Sequence, residues 1–244
     1  MATFSVIGTP IGNLEDITLR ALRTLSAADV ILCEDTRVTR TLLNKHDIIK
    51  KDEAGAGPRI LSYHAHSALS RTDHIIEALK GGANVALVSD AGTPGISDPG
   101  SALVARMRID LAAEIASGAI KIEAVPGPSA LASALSIAGV PCADFTFLGF
   151  LPHKKGRETL FKEIAAAERA MIFYESPHRI LKALASLVEH LEADLAAAAP
   201  KRVTICRELT KIFEEVVQGS PREVLAYFES HPDKVRGEFV VIVG

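Results

Sequence analysis

The sequence predicts an α/β fold in two α/β domains: an N-terminal domain with a mostly parallel sheet and helices on both faces, then a C-terminal domain with a mixed sheet. Three observations predict it. Through the first half, short apolar runs bounded by Gly, Pro, Asp or Ser alternate with segments of helical periodicity, the pattern of βα units. The runs are continuously apolar, as strands buried on both faces of a parallel sheet are. After Val125-Pro126-Gly127-Pro128 the alternation loosens, which implies antiparallel pairs. The boundary falls near 122–126, giving domains 1–122 and 123–244, and a chain of 244 residues accommodates both.

The N-terminal strands are expected at 4–7, 30–33, 60–63, 85–88 and 120–125. A helix over 14–28 carries Ile17, Ala21, Leu22 and Leu25 on one face. A second, over 69–79, stops at Gly81-Gly82. A third, over 99–107, starts with Asp98 as cap and Pro99 at its first position. Residues 51–58 read as a surface loop. In the C-terminal half, helices are expected at 129–138, 158–168, 178–190 and 222–228, the last opened by a capping box of Ser220 and Glu223 around Pro221. Strands are expected at 145–148, 170–174, 203–208, 213–218 and 239–243.

Composition excludes several classes. No run of about 18 apolar residues exists, so no membrane-spanning helix is expected. The N-terminus lacks a basic leader and enters a strand directly, which points to the cytoplasm. Cys33, Cys142 and Cys206 are odd in number and far apart, which argues against disulfides and for buried small hydrophobes. A net charge of −3 writes no long-range attraction to nucleic acid into the whole molecule, so any such contact must be local. The eight histidines show no metal-ligating spacing, and no metal is expected.

The chemistry-bearing motifs sit at predicted strand ends, where open α/β sheets bind ligands. Gly8-Thr9-Pro10-Ile11-Gly12-Asn13 follows the first strand; its spacing is not G-x-G-x-x-G, and a tight turn without a ligand competes as its role. Ser89 to Gly100 follows the fourth strand and holds three Gly, two Pro, two Asp, two Ser and one Thr, far more than a simple connection needs. Its Asp90 and Asp98 suit a cation or ribose hydroxyls, with helix capping as the competing role of Asp98. Pro126-Gly127-Pro128-Ser129-Ala130 lets the chain pass close to a ligand, with Ser129 either capping its helix or touching that ligand.

Glu34-Asp35-Thr36-Arg37 places paired carboxylates beside an arginine, suited to acid–base work or to a plain helix start with Asp35 as cap. Tyr174-Glu175-Ser176-Pro177-His178-Arg179 and Arg207-Glu208-Leu209-Thr210-Lys211 gather charges at two further strand ends. The basic run His153-Lys154-Lys155-Gly156-Arg157 can grip phosphates or simply end a helix in solvent.

Taken in order, these motifs resemble the tetrapyrrole-methylase superfamily, and within it the ribosomal RNA small-subunit methyltransferase I family. The resemblance is carried by Gly8 to Leu14, Glu34 to Arg37, Ser89 to Gly100, Pro126 to Ser129, Gly149-Phe150-Leu151-Pro152, Phe173 to Ser176 and Arg207 to Lys211. It implies two α/β domains with S-adenosyl-L-methionine in the cleft between them, a homodimer, and methyl transfer to the ribose 2′-hydroxyl of a cytidine in small-subunit ribosomal RNA. It implies cofactor contacts at Pro10, Gly92, Thr93, Ile96, Ser97, Ser129, Ala130 and Tyr174; Asp90 is a further cofactor candidate, with loop support as its competing role. The N-terminal domain would then offer the substrate side of the cleft, the C-terminal domain the cofactor cleft and the dimer contacts.

Candidate catalytic groups are Asp35, Arg37, His64 and Glu175; candidate RNA contacts are Lys154, Lys155, Arg157, Arg207 and Lys211. Family members continue into a C-terminal helical segment where this sequence stops at Val243-Gly244, and the stretch 109–120 is longer than is usual for them. The rival readings are a tetrapyrrole or protein-histidine-derivative methyltransferase of the same superfamily, a nicotinamide-dependent oxidoreductase, and a non-catalytic nucleotide-binding module. The missing G-x-G-x-x-G counts against the oxidoreductase.

Overall fold

The computed structural model describes residues 1–49, 57–63, 68–98, 100–192 and 200–244. Its first five strands are β1 (Ala2–Ile7), β2 (Val30–Cys33), β3 (Arg59–Ser62), β4 (Val85–Val88) and β5 (Ile120–Val125). They pair in the order β3-β2-β4-β1-β5, every pairing parallel. The helices of this half are α1 (Leu19–Ser26), α2 (Thr36–Lys45), α3 (Ala68–Lys80), α4 (Gly100–Asp110) and α5 (Ala112–Ala116).

Strand alternation sorts the helices between the two faces. Val85 and Leu87 share one core with Leu79 of α3 and with Leu103 and Met107 of α4. Ala86 and Val88 share the other with Leu25 of α1 and Leu43 of α2. Each leucine taken fully out of water contributes about 1.5–3 kcal/mol. One consequence matters for the site: β1 and β4 are neighbours in the sheet, yet the helix after β1 packs on one face and the helix after β4 on the other. The chain therefore runs on from their carboxyl ends to opposite faces, which marks the switch point of an open α/β sheet.

The second unit contains α6 (Ala130–Ile137), β6 (Phe145–Phe150), α7 (Arg157–Ala166), β7 (Ala170–Glu175), α8 (Ile180–Leu191), β8 (Val203–Arg207), β9 (Glu215–Gly219), α9 (Pro221–Ser230) and β10 (Phe239–Val243). The sheet order is β6-β7-β10-β8-β9; β6 and β7 run parallel and the other pairings are antiparallel. Phe161 of α7, Leu184 and Leu187 of α8, and Phe228 of α9 cover one face through Phe173, Ile205 and Val241. The sheet is thus mixed, as the sequence predicts.

Several boundaries move. A domain break at 122/123 would cut β5, which pairs with β1 from Ile120 to Val125; the compact units are Met1–Ser129 and Ala130–Gly244. The single helix expected over 14–28 is a 3₁₀ turn, Leu14–Asp16, followed by α1. The break falls at extended Ile17 because the Thr18 hydroxyl accepts from Ala21 N–H and starts the helix afresh. α2 was anticipated only as a capped start at Asp35; it runs on for ten residues. The long 109–120 stretch holds the end of α4 and the short α5. Strand β9 starts at Glu215 rather than 213, leaving Phe213 exposed in the turn. The expected capping box of Ser220 and Glu223 is formed. Cys33 and Cys206 are buried as expected, whereas Cys142 is only half-buried. His64, Pro99 and most of the 51–58 loop lie outside the described residues. Among the described residues no helix is long and apolar enough to cross a membrane.

Candidate active site

Three loops meet at the carboxyl ends of β1, β4 and β5. The first two are zipped together: Thr9 N–H donates to Gly92 O at 2.9 Å, and Gly92 N–H donates back to Thr9 O at 3.1 Å. The Thr9 hydroxyl lies 3.1 Å from Ser89 O, and the Ser89 hydroxyl lies 3.1 Å from both Ala91 O and Gly92 O. The third loop joins through Thr93, whose hydroxyl donates to Pro128 O at 3.1 Å. Gly8 and Gly127 touch backbone to backbone; a Cβ on Gly127 would stand 2.6 Å from Gly8 O. Gly92 has a φ of +81° and would bring a Cβ to 3.3 Å from Ile11. The glycines therefore sit where side chains do not fit, and the result is a low floor of backbone at the switch point.

The rest of the Ser89–Gly100 loop is held by Asp98. Its carboxylate accepts from Gly95 N–H at 2.8 and 2.9 Å and from Gly100 N–H, the first residue of α4, at 2.7 Å. Ile96 and Ser97 project from the loop into solvent, Ser97 with a φ of +68°.

Carboxylates rim this floor. Asp90 Oδ1 accepts from Asp35 N–H at 2.8 Å, and Glu34 Oε1 lies 3.4 Å from Asp90 N–H, so the ends of β2 and β4 are interlocked. Asp35 caps α2 through Arg37 N–H at 2.8 Å and grips the Arg37 guanidinium at 2.6 Å. That guanidinium holds the Asp35 carboxyl down to about 2. Asp35 is thus an ionised partner for Arg37 and a weak proton acceptor, while the Arg37 side chain is 88% exposed. A small hollow beside this group is bounded by Thr9, Pro10, Leu14, Val38, Ser89 and Asp90, among others.

In the second unit the structure pairs Glu175 with Arg179 and Glu208 with Lys211, while Tyr174 sits apart against aromatic neighbours. Tyr174 is half-buried and meets Phe147 and Phe150 edge-on, with ring centroids 4.9 and 5.5 Å away; burial pushes its phenol up. Glu175, a candidate catalytic group, is 1% exposed and paired with both Arg157 and Arg179. It is consumed by these partners and has no free face for a substrate proton. Arg157 and Arg207, expected on an RNA-facing surface, are also buried. Arg157 pairs with Glu175; Arg207 pairs with Glu215 and donates to Lys234 O and Phe213 O. Lys211 bridges Glu208 and Glu238. Lys154 and Lys155 are exposed. Ser129 and Ala130 are half-buried at the start of α6.

The contact between Gly8 and Gly127 escaped the motif reading. Its signal was a glycine at the carboxyl end of each of two strands, legible only once β1 and β5 are known to be neighbours. Among the described residues no three His, Cys, Asp or Glu side chains gather as a metal set.

An open parallel sheet with three loops gathered at its switch point defines an α/β protein of the kind that binds its ligand outside the carboxyl ends of the strands. Comparison with known proteins narrows this. The family model of Tetrapyrrole (Corrin/Porphyrin) Methylases matches residues 3–225. The Ribosomal RNA small subunit methyltransferase I of Mesorhizobium japonicum is 44% identical over 240 residues, covering 98% of this chain and 74% of that protein. The protein of the same name from Thermotoga maritima is 41% identical over 243 residues, covering 100% and 98%. Among solved structures, the methyltransferase CobJ superposes with a TM-score of 0.66 at 23% identity over 100% of this chain and 94% of its own. Uroporphyrin-III-C-methyltransferase from Thermus thermophilus gives 0.62 at 18% over 100% and 94%. These two likenesses speak for the fold. The chain belongs to the ribosomal RNA small subunit methyltransferase I family of the tetrapyrrole methylases, and is a methyltransferase.

Proposed function

We propose that this enzyme transfers the methyl group of S-adenosyl-L-methionine to the ribose 2′-hydroxyl of a cytidine in small-subunit ribosomal RNA. The observation that carries the cofactor half is the backbone floor at the switch point, where Gly8 and Gly127 touch with no room for a Cβ between them and Gly92, at a φ of +81°, keeps the middle loop free of a side chain. The carboxylates of Glu34 and Asp90 suit a ligand with a sulfonium and an ammonium charge, so these residues fit this group, while that of Asp35 is taken up by Arg37. Pro10, Asp90, Gly92, Thr93, Ile96, Ser97 and Ser129 are the holding positions of the N-terminal unit. Gly92 contributes close backbone approach rather than a donor, since its N–H and C=O are spent on Thr9. The acceptor half rests on the names of the relatives.

When bound, the cofactor supplies an already electrophilic methyl carbon, so the protein's work is alignment of the acceptor hydroxyl. Asp35 aims the Arg37 guanidinium outward from the start of α2, where it can grip an RNA phosphate or steady negative charge growing on the hydroxyl oxygen. Lys154 and Lys155 supply further phosphate contacts. The 2′-hydroxyl itself distinguishes RNA from DNA. We read the protein as a cytoplasmic homodimer; the exposed apolar group of Ile212, Phe213 and Val216 at the β8–β9 turn supports the dimer.

The test is incubation with labelled S-adenosyl-L-methionine and small-subunit ribosomal RNA from a host lacking such an enzyme, naked and as assembled subunits. Mass spectrometry should find one 2′-O-methylcytidine. Methylation of a tetrapyrrole but not RNA, or calorimetric binding of NAD in place of S-adenosyl-L-methionine, overturns the reading.

A further inference from the structure

Glu175 closes β7 with its side chain fully buried between two arginines. Oε2 accepts from Arg157 Nη1 and Nη2 at 3.3 and 3.2 Å; Oε1 accepts from Arg179 Nε at 2.7 Å and from Ser176 N–H at 2.8 Å. Each arginine also donates to the loop between β6 and α7: Arg179 Nη1 to Leu151 O at 2.8 Å, Arg157 Nη1 to Pro152 O at 3.3 Å. One carboxylate, acting through two guanidinium groups, thereby holds the loop where it begins, at Leu151 and Pro152, and where it ends, at Arg157.

Between those anchors lie His153, Lys154, Lys155 and Gly156, all exposed. Gly156, with a φ of +84°, turns the chain into α7. Two guanidinium groups against one carboxylate leave the base of the loop with a net positive charge. A buried ion pair adds little net stability over apolar packing of the same volume. What this one adds is a defined geometry for two lysines. A flexible basic loop would lose its freedom on every encounter with a polyanion, whereas a pre-set one does not.

We infer that Glu175 is a positioning residue: through Arg157 and Arg179 it presents Lys154 and Lys155 as a fixed pair for successive phosphates of the RNA strand. The inference rests on the ribosomal RNA reading above and gives the Gly149–Pro152 and Phe173–Ser176 motifs one shared task.

A double-mutant cycle tests it, with RNA affinity measured by filter binding across a salt series and S-adenosyl-L-methionine affinity by calorimetry. Lys154→Ala with Lys155→Ala should weaken RNA binding about tenfold and reduce the salt slope by about 1.5. Glu175→Gln alone should weaken RNA binding about fivefold and leave cofactor affinity unchanged, but add less than about twofold in the lysine-free background, because coupled sites are not additive. Arg179→Gln, which leaves the Glu175–Arg157 pair in place, serves as the second variant should Glu175→Gln fail to fold. Equal losses in both backgrounds, or a matching loss of cofactor affinity, reduce the network to a structural brace and overturn the inference. A wild-type chain that binds the cofactor but neither binds nor methylates ribosomal RNA sinks the earlier reading instead.

Discussion

Two glycines at the ends of neighbouring strands decide how closely the loops over the sheet can approach. Gly8 follows β1 and Gly127 follows β5, and either Cβ would meet the other backbone at less than 3 Å. Overpacking of this kind costs about 1–3 kcal/mol, and here the neighbour is backbone that cannot rotate away. Gly127→Ala should therefore lower stability in urea by that amount and weaken S-adenosyl-L-methionine binding; wild-type values in both measurements would discount the contact. Asp35 is the second decisive residue. Its folded value of about 2 lies below the ordinary carboxylate value near 3.9, so the stabilisation from Arg37 is present above about pH 4 and lost as pH falls through about 2. Carbon-detected NMR should show the Asp35 carboxyl titrating near 2 and moving up toward the ordinary range in Arg37→Met. No such movement would mean that the side-chain pair does not set its state.

At the scale of elements, caps explain where helices begin better than periodicity does. The apolar pattern of 14–28 is continuous, yet Thr18 restarts the helix and leaves Asn13 to cap a separate 3₁₀ turn. The same logic extends α2 from Asp35, whose carboxylate both caps the helix and aims Arg37. In α9 the Ser220 hydroxyl accepts from Glu223 N–H, and the Glu223 carboxylate accepts from Ser220 N–H at 2.8 Å. Ser220→Ala should cost about 1 kcal/mol in chemical denaturation without changing cofactor affinity, since the box bonds within the first turn of its own helix. A loss below a few tenths would show that the box is idle in solution. The loops gain their rigidity differently, from side chains bonding to backbone: Thr9, Ser89, Thr93 and Asp98 each tie a segment that has no regular structure of its own.

At the scale of the whole molecule, a net charge of −3 gives no general attraction to a polyanion, and burial of Arg157 and Arg207 takes two candidate contacts off the surface while Lys154 and Lys155 stay exposed. Ligand linkage offers the most direct check of the cofactor assignment. At a concentration 100 times Kd, S-adenosyl-L-methionine should stabilise the native protein by about 2.7 kcal/mol. Hydrogen exchange should show the protection concentrated in residues 8–13, 89–98 and 126–129. Protection elsewhere, or none, would move the site.

Much of the fold was legible in local pattern. Continuous apolar runs marked β2 and β4 as strands of a parallel sheet buried on both faces, although the edge strand β5 keeps Lys121 and Ala124 exposed, and Gly, Pro, Asp and Ser clustered at the carboxyl ends marked the ligand loops, because turn geometry is imposed by neighbouring residues. Charge was a poorer guide. Glu175, Arg157 and Arg207 read as available chemistry, and the fold buries all three, since Arg157 of α7 packs against the end of β7 and Arg207 faces Glu215 across the β8–β9 ladder. The break between the two units belongs with them, being set by β5 pairing along β1 rather than by any feature near residue 122. Periodicity and turn chemistry are short-range and survive in a bare sequence; burial of a charge depends on what packs against it, and that exists only once the chain has folded.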